Sequence, residues 1–355
     1  MASPQCVIKE NDYSPELFGF EEILKNIEEA IEKPDSVPRS NIAIIAEPFS
    51  GRSKLLYKIS ELCRERESKI FFSRLVSDEN FLHILEKSGD IVLVDNCQLL
   101  YSRKIGGFEK LDLFLNTVAS SKKLFIITWN QFSWNYLRFV YPLESIFAVR
   151  IELPRLGLED LKKMVMATCE WQMTFTEDEK TKKEERLGLT EFPVDIGPFK
   201  RTFRVPVPRI DYSVLKSRFP AKIGSSEQKD ETPVEDTVFQ QLKDASEGNP
   251  GVAKAIWKRS VPRAEGTITP GDIIKPQYKI DLNYDQAFLL YIILCMECVN
   301  IEELKGIIDP NANVNRFVHD LERTGLISVE NELLSIMPEA LHSIESYLKS
   351  VRLVW

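Results

Sequence analysis

Three short, unbroken apolar runs constrain this chain more than any other feature. They are Asn41-Ile42-Ala43-Ile44-Ile45-Ala46, Asp90-Ile91-Val92-Leu93-Val94-Asp95 and Lys123-Leu124-Phe125-Ile126-Ile127-Thr128. A run that is apolar at successive rather than alternate positions belongs to a strand covered on both faces. Each run is followed by a loop and a segment with helical apolar spacing: Lys54–Arg66, Phe108–Ser120 and Phe132–Val140. Strands alternating with amphipathic helices specify a parallel sheet flanked by helices, an α/β fold. A helix over 14–33, closed by Pro34 and Pro38, precedes the first run, and a last strand is expected at Ala148–Leu153.

At 355 residues the chain exceeds one small core. Residues 1–155 form the expected α/β core. Residues 156–275 are expected to form a helical lid, with helical spacing at Leu158–Trp171 and again at Val234–Trp257. Between them lies an insertion, 174–235. Its first part, Thr174–Glu185, is dense in charge, and the rest is rich in proline. The alternation in Phe199–Val205 reads as part of a hairpin, and Gly224–Thr232 reads as disordered. Residues 280–355 form a third unit.

The net charge of −8 provides no global basic field for nucleic acid. The cysteines Cys6, Cys63, Cys97, Cys169, Cys295 and Cys298 are scattered, as reduced thiols in a cytoplasmic protein would be. Cys295 and Cys298 have a C-x-x-C spacing but no second pair, so they read as core thiols rather than zinc ligands. Met1–Lys9 lacks a basic stretch followed by an apolar one, and no run reaches the roughly 20 apolar residues of a membrane span. A cytoplasmic location is the expectation.

The chemistry concentrates after the first strand. Ala46-Glu47-Pro48-Phe49-Ser50-Gly51-Arg52-Ser53, with Lys54 beginning the helix, follows the pattern G-x-x-x-x-G-K-[ST] with two departures. Such a loop joins strand to helix so that the helix's first N–H groups face phosphate. Gly51 and Ser53 hold consensus positions, but Ala46 replaces the first glycine and Arg52 the lysine. Arginine binds phosphate as a planar fork, not as a point charge. Asp95, at the tip of the second buried strand, stands where an aspartate holds the Mg²⁺ shell. With Ser53 it forms the candidate metal pair. Asn96 stands where hydrolytic relatives place a glutamate, and an amide is no general base. Glu109 substitutes only if the fold brings it near. Thr128 and Asn130, at the end of the third strand, are candidates for bonding a γ-phosphate or attacking water. Ser246-Glu247-Gly248-Asn249-Pro250-Gly251-Val252-Ala253 is a turn opening a helix. For each of these positions there is a plain alternative: a solvated helix start, a strand-end cap, a turn residue.

Taken together, these elements resemble the AAA+/STAND group of P-loop ATPases, particularly archaeal members, over about residues 15–260. The resemblance implies a nucleotide-binding core, a helical lid with a sensor-2 region at Gly248–Trp257, and commonly a C-terminal winged helix. It implies ATP and Mg²⁺ as cofactors, with Gly51, Arg52 and Ser53 at phosphate and metal positions. Asp95 takes the Walker-B place, and Asn130 or Thr128 that of sensor 1. Gly251 stands where the family often has arginine. Arg138 and Arg150 fall near an arginine-finger position.

In the third unit Tyr284–Cys298, Ile301–Ile308 and Val314–Thr324 read as helices. Leu326–Val329 and Leu333–Ile336, joined by Glu330-Asn331-Glu332, read as a wing. This is a winged helix-turn-helix pattern. Residues 311–324 would be the DNA-facing helix, with Asn313, Asn315, Arg316, His319 and Arg323 offset by Asp320 and Glu322. Protein packing is weighed equally with DNA. The expectations are therefore an ATP-dependent switch with weak or absent hydrolysis, an ATPase-derived scaffold without nucleotide, or a DNA-binding regulator. An unidentified protein partner and homo-oligomers are candidates.

Overall fold

The computed structural model describes residues 17–32, 40–63, 67–87, 89–169, 173–176, 187–196, 199–208, 233–261, 266–308 and 312–354, the two segments within 187–208 by backbone only. The closing prolines Pro34 and Pro38, the charged residues 177–185, Trp171, the stretch 224–232 and residue 311 lie outside the described residues. Contacts divide the chain into two units. One comprises Met1–Thr168, Lys243–Ile256 and Lys275–Trp355; the other comprises Cys169–Leu242 and Trp257–Ile274.

The first unit is built on β1 (Ile42–Ala46), β2 (Glu67–Phe71), β3 (Ile91–Asp95), β4 (Leu124–Asn130) and β5 (Val149–Glu152). They form one parallel sheet in the order β2-β3-β4-β1-β5. This is the parallel α/β core that the apolar runs specify. All residues of β1, β3 and β4 are buried, as runs covered on both faces must be. The edge strand β2 is half-exposed, with charges at Glu67 and Lys69. Helices α1 (Glu21–Ile31), α2 (Arg52–Cys63), α3 (Asn80–Lys87), α4 (Glu109–Ser120), α5 (Gln131–Leu137), α6 (Leu143–Ile146) and α7 (Leu158–Ala167) complete the core's elements. On one face Val92, Val94, Phe125, Ile127 and Trp129 pack with Phe114, Trp134 and Phe147. Phe114 meets Phe125 edge-on at 6.5 Å, and Trp129 meets Trp134 at 6.0 Å. Burying such rings contributes about 1.5–3 kcal/mol each, which fixes the strands that carry the loop and its partners.

Register then decides what meets at the carboxyl edge of the sheet. Ala46 lies opposite Asn130, and Val94 opposite Ile127, which sets Asp95 beside Thr128. The loop ends, Asp95 and Asn130 are thus neighbours because β4 lies between β1 and β3.

The chain's later part adds α8 (Val234–Ser246), α9 (Pro250–Ser260), α10 (Tyr284–Met296), α11 (Ile301–Lys305), α12 (Val314–Arg323) and α13 (Leu341–Ser350). Asparagines start three of these helices: Asn283 accepts from Gln286 N, Asn300 from Glu302 N and Asn313 from Arg316 N. Strands β11 (Ile327–Glu330) and β12 (Leu333–Ile336) form the expected hairpin. Its Asn331 and Glu332 both have positive φ, as a two-residue turn between twisted strands requires. Two features extend the sequence expectation. Val299–Asn300 (β10) adds a third strand, giving the order β10-β12-β11, and α13 follows the hairpin. The expected helix Tyr284–Cys298 ends at Met296 instead, because the Asn300 capping box already starts the next one.

In the second unit β6 (Thr174–Phe175) pairs with β9 (Thr267–Ile268), and β7 (Leu187–Ile196) forms an antiparallel hairpin with β8 (Phe199–Pro208). Phe239 stacks on Trp257 at 5.4 Å and meets Phe175 at 5.8 Å.

Candidate functional site

The loop between β1 and α2 turns on two residues with positive φ, Phe49 at 65° and Gly51 at 94°. Gly51 needs that freedom. Ala46 is not among the positive-φ residues, so replacing the first glycine strains nothing there. The Ser50 hydroxyl donates to Glu47 O at 2.6 Å and closes the turn. Phe49 is held from outside. Gly251 N donates to Phe49 O at 3.0 Å, and a Cβ on Gly251 would stand 2.5 Å from that of Phe49. Asn249 Nδ2 donates to Pro48 O at 2.9 Å, while its Oδ1 accepts from Gly251 N and Val252 N at the start of α9. The turn singled out in the sequence therefore clasps the loop's backbone.

Arg52 does not extend to solvent. It is 5% exposed, and its Nη1 donates to Ala46 O at 2.8 Å. Its Nη2 donates to Oε1 of Glu297, the residue that follows α10. Asn130 Nδ2 donates to the same Glu297 oxygen at 2.7 Å and to Leu294 O at 2.9 Å. Asn130 Oδ1 meanwhile caps α5, accepting from Phe132 N and Ser133 N. Ser133 donates to Cys295 O at 2.8 Å, and Tyr101 donates to Ser133 at 3.1 Å. Arg103 lies 3.5 Å above the Tyr136 ring and 4.5 Å from that of Tyr291, and donates to the Tyr291 hydroxyl at 2.6 Å. The end of α10 is thereby fastened to the carboxyl edge of the sheet through Arg52, Asn130 and Ser133, and Arg103 holds the helix further back at Tyr291.

Asp95 is wholly buried. Its Oδ1 accepts from the Thr128 hydroxyl, whose oxygen in turn accepts from Asn96 N at 3.0 Å. Its Oδ2 has no partner among the described residues. Asn96 takes a left-handed conformation, φ 59°, and its amide donates to Phe72 O at 3.0 Å. Gln98 links this corner to the next strand, donating to Asn96 and accepting from Asn130 N. Burial pushes the Cys97 thiol well up, with the Asp95 charge adding to it.

Structure thus brings together Ala46, Arg52, Asn130 and Glu297 in one cluster, and Asp95, Asn96 and Thr128 in the adjoining one. Ser53 is half-buried in the first turn of α2. Glu109 is exposed at the start of α4, and Arg150 pairs with Glu144 at the surface. Arg138 lies 5.4 Å from the Phe139 ring. Glu47 faces the other way, accepting from Arg155 Nη2 at 2.7 Å. Arg155 also donates to Glu247 and stands 3.9 Å from Glu345. His342 joins this network. Its ring Nε2 lies 2.8 Å from Ser246 O, and its Nδ1 stands 3.8 Å from Glu247 and 3.9 Å from Glu345. Burial works against a charged His342 ring. The Glu345 carboxylate, the Ser246 carbonyl and the charges of Glu247 and Glu47 outweigh it and raise the pKa. Burial likewise works against a charged Glu345, but His342, Lys349 and Arg155 hold its carboxyl down at about 2.

Beside the loop, a cleft of about 110 Å³ is lined by Phe18, Phe20, Leu156, Met164, Lys54 and Lys254. Burial lowers the Lys254 pKa. Asp95, Asn130, Arg52 and Thr128 were visible from sequence as candidates; Glu297 was not.

No family model matches this chain, and no curated protein matches it. Among solved structures it is similar to Thermotoga maritima RuvB, the Holliday junction branch migration motor. The identity is 14%, the coverage 94% of this chain and 95% of that one, and the TM-score 0.41. Two point mutants of the same protein align at 14% identity with the same coverage and TM-scores of 0.42 and 0.43. Likeness at that level assigns no family.

Proposed function

We propose that this chain is an AAA+/STAND-derived P-loop protein that serves as a non-hydrolysing regulatory scaffold. One observation carries the proposal: the arginine at the loop's lysine position is committed to Ala46 O and to Glu297, on the chain's own α10. Two further features support it. Asp95 is buried against Thr128, and Asn96 gives the corner no general base. In this arrangement the residues do not fit a magnesium-bound triphosphate. The donor meant for phosphate already holds a carboxylate, and of the metal-position carboxylate Oδ1 accepts from the Thr128 hydroxyl, which leaves only the buried Oδ2 without a partner among the described residues.

The C-terminal helices and sheet, read as a winged helix, fit protein or intramolecular packing better than DNA. On the α12 face Arg316 and Arg323 are offset by Asp320 and Glu322, with Arg316 only 4.0 Å from Asp320, and the hairpin adds Glu330 and Glu332. A DNA surface concentrates positive charge instead. A second proposal, a nucleotide-held switch, is favoured by the cleft beside Gly51, whose apolar walls and two lysines suit a base and a phosphate.

Calorimetric titration of the full chain with ATP, with and without Mg²⁺, tests the scaffold. The expected result is no saturable Mg²⁺-dependent binding and no phosphate release above buffer. Stoichiometric Mg²⁺-dependent binding would overturn it, and saturable binding indifferent to chelator would move the case to the second proposal.

A further inference from the structure

Glu297 departs from what its position favours. It terminates α10 with φ 63°, its N–H donating to Ile293 O at 2.8 Å. Positive φ favours glycine, and with ψ −34° Glu297 lies outside even the left-handed helical well, a strained conformation for a residue with a side chain. What the side chain supplies is one carboxylate oxygen, placed between two donors: the Arg52 guanidinium and the Asn130 amide. Both donors are buried, and both come from the positions that a P-loop core directs at phosphate, the loop and the tip of the neighbouring strand.

The match is incomplete in an informative way. Only Oε1 is engaged in the cluster, and Arg52 Nε is buried with no partner among the described residues. A guanidinium presents five N–H donors in a fixed fork. An anion with three oxygens on one centre would satisfy donors that a single carboxylate oxygen leaves over.

We infer that the Arg52–Asn130 pair is a phosphate-class oxyanion site filled by the chain's own Glu297 as an internal surrogate. The inference rests on the scaffold proposal above. What it adds is the competitor: Glu297, which holds both donors in place of an anion. Docking of α10 does not depend on the surrogate alone. Asn130 also holds Leu294 O, Ser133 holds Cys295 O, and Arg103 holds Tyr291. Removing the carboxylate therefore exposes the two donors while the helix end stays in place.

The test uses full-length Glu297→Ala and Glu297→Gln, with Mg²⁺-free pyrophosphate as the probe and calorimetry as the readout. Charge-assisted bonds of the strength lost correspond to about a 10- to 100-fold change in an equilibrium constant. Glu297→Ala is accordingly expected to bind pyrophosphate at least about tenfold tighter than the unaltered chain, with Glu297→Gln in between. The gain should vanish in Arg52→Met/Glu297→Ala. If the alanine variant does not fold, the glutamine variant carries the same criteria. A folded variant that binds pyrophosphate no better than the unaltered chain overturns the inference, as does a gain that survives Arg52→Met. ATP binding by the unaltered chain would instead overturn the scaffold proposal, so the two failures are distinguishable.

Discussion

Replacing Arg52 by methionine tests the coupling on which the candidate site depends. Methionine keeps much of the buried stem and removes the charge, so loss of packing is small. The bond to Ala46 O is worth about 1 kcal/mol. The pair with Glu297 lies between two regimes. Removing one partner of a fully buried pair costs about 3–5 kcal/mol, and an exposed pair is worth about 0–1 kcal/mol. Arg52 is 5% exposed and Glu297 23%, which places the loss at about 2 kcal/mol. Arg52→Met should then destabilise the chain by about 3 kcal/mol in all.

Glu297→Gln keeps the acceptor but leaves the guanidinium buried among neutral oxygens, for a loss of about 2 kcal/mol. The double variant no longer contains an unpaired charge. It should fall short of the sum of the single losses by about 1.5–2 kcal/mol. Urea unfolding of the four proteins at constant slope measures each difference from the shift in midpoint. Additivity within about 0.5 kcal/mol would refute the coupling, because independent sites add that closely. Two further variants isolate the backbone contribution. Glu297→Gly should be more stable than Glu297→Ala by about 1 kcal/mol, since only glycine takes φ 63° freely.

Other outcomes follow from neighbouring contacts. Gly251→Ala should lower stability by about 1–3 kcal/mol in thermal melts, because the new Cβ would stand 2.5 Å from Phe49 Cβ and 2.7 Å from Phe49 O. Thr128→Val, near in volume, leaves both Asp95 Oδ1 and Asn96 N without their partner, and should cost about 3 kcal/mol by urea unfolding. The anchoring of α13 should depend on pH in two opposite ways. The folded pKa of His342 is raised above 6.5, so its contribution is full below that value and lost as pH rises through the folded pKa. Glu345, held at about 2 against 4.5, contributes fully above 4.5 and loses this as pH falls towards 2. Melts across pH 3 to 8 should peak between the two windows, and the alkaline decline should flatten in His342→Gln.

The sheet was legible in the sequence where burial was two-sided. β1, β3 and β4 are apolar throughout, and the order of loop, Asp95 and Asn130 along the chain became neighbourhood in space once β4 paired with both other strands. β2 escaped notice because an edge strand need be apolar on one side only, and Glu-Ser-Lys-Ile-Phe reads as a loop. Glu297 escaped for a different reason. A helix C-terminus is usually betrayed by glycine, and Cys295-Met296-Glu297-Cys298 has none. A signal was nevertheless present. The apolar helix must stop before Asn300, where an Asn-x-x-Glu capping box begins the next element, leaving Glu297, Cys298 and Val299 in which the chain can turn. Only a positive φ at one of them turns it so sharply, and a glutamate forced into that conformation needs a partner to hold it.

Why the last turn of α10 should settle where a phosphate is expected is a matter of unsatisfied charge. The carboxyl edge of the sheet gathers donors: the guanidinium of Arg52, the amide of Asn130, the hydroxyl of Ser133 at the start of α5, and the positive end of that helix. Each asks for an acceptor, and burying them without one is costly. A helix C-terminus offers the complement, with carbonyls that lack intrahelical partners and roughly half a negative charge. Leu294 O and Cys295 O supply the carbonyls, and Glu297 adds a full charge at the place where the guanidinium needs one. Phosphate and a helix end are thus alternative answers to the same electrostatic demand. Arg52 and Asn130 make that demand whatever fills it, and meeting it from within makes the site a joint between the sheet and α10.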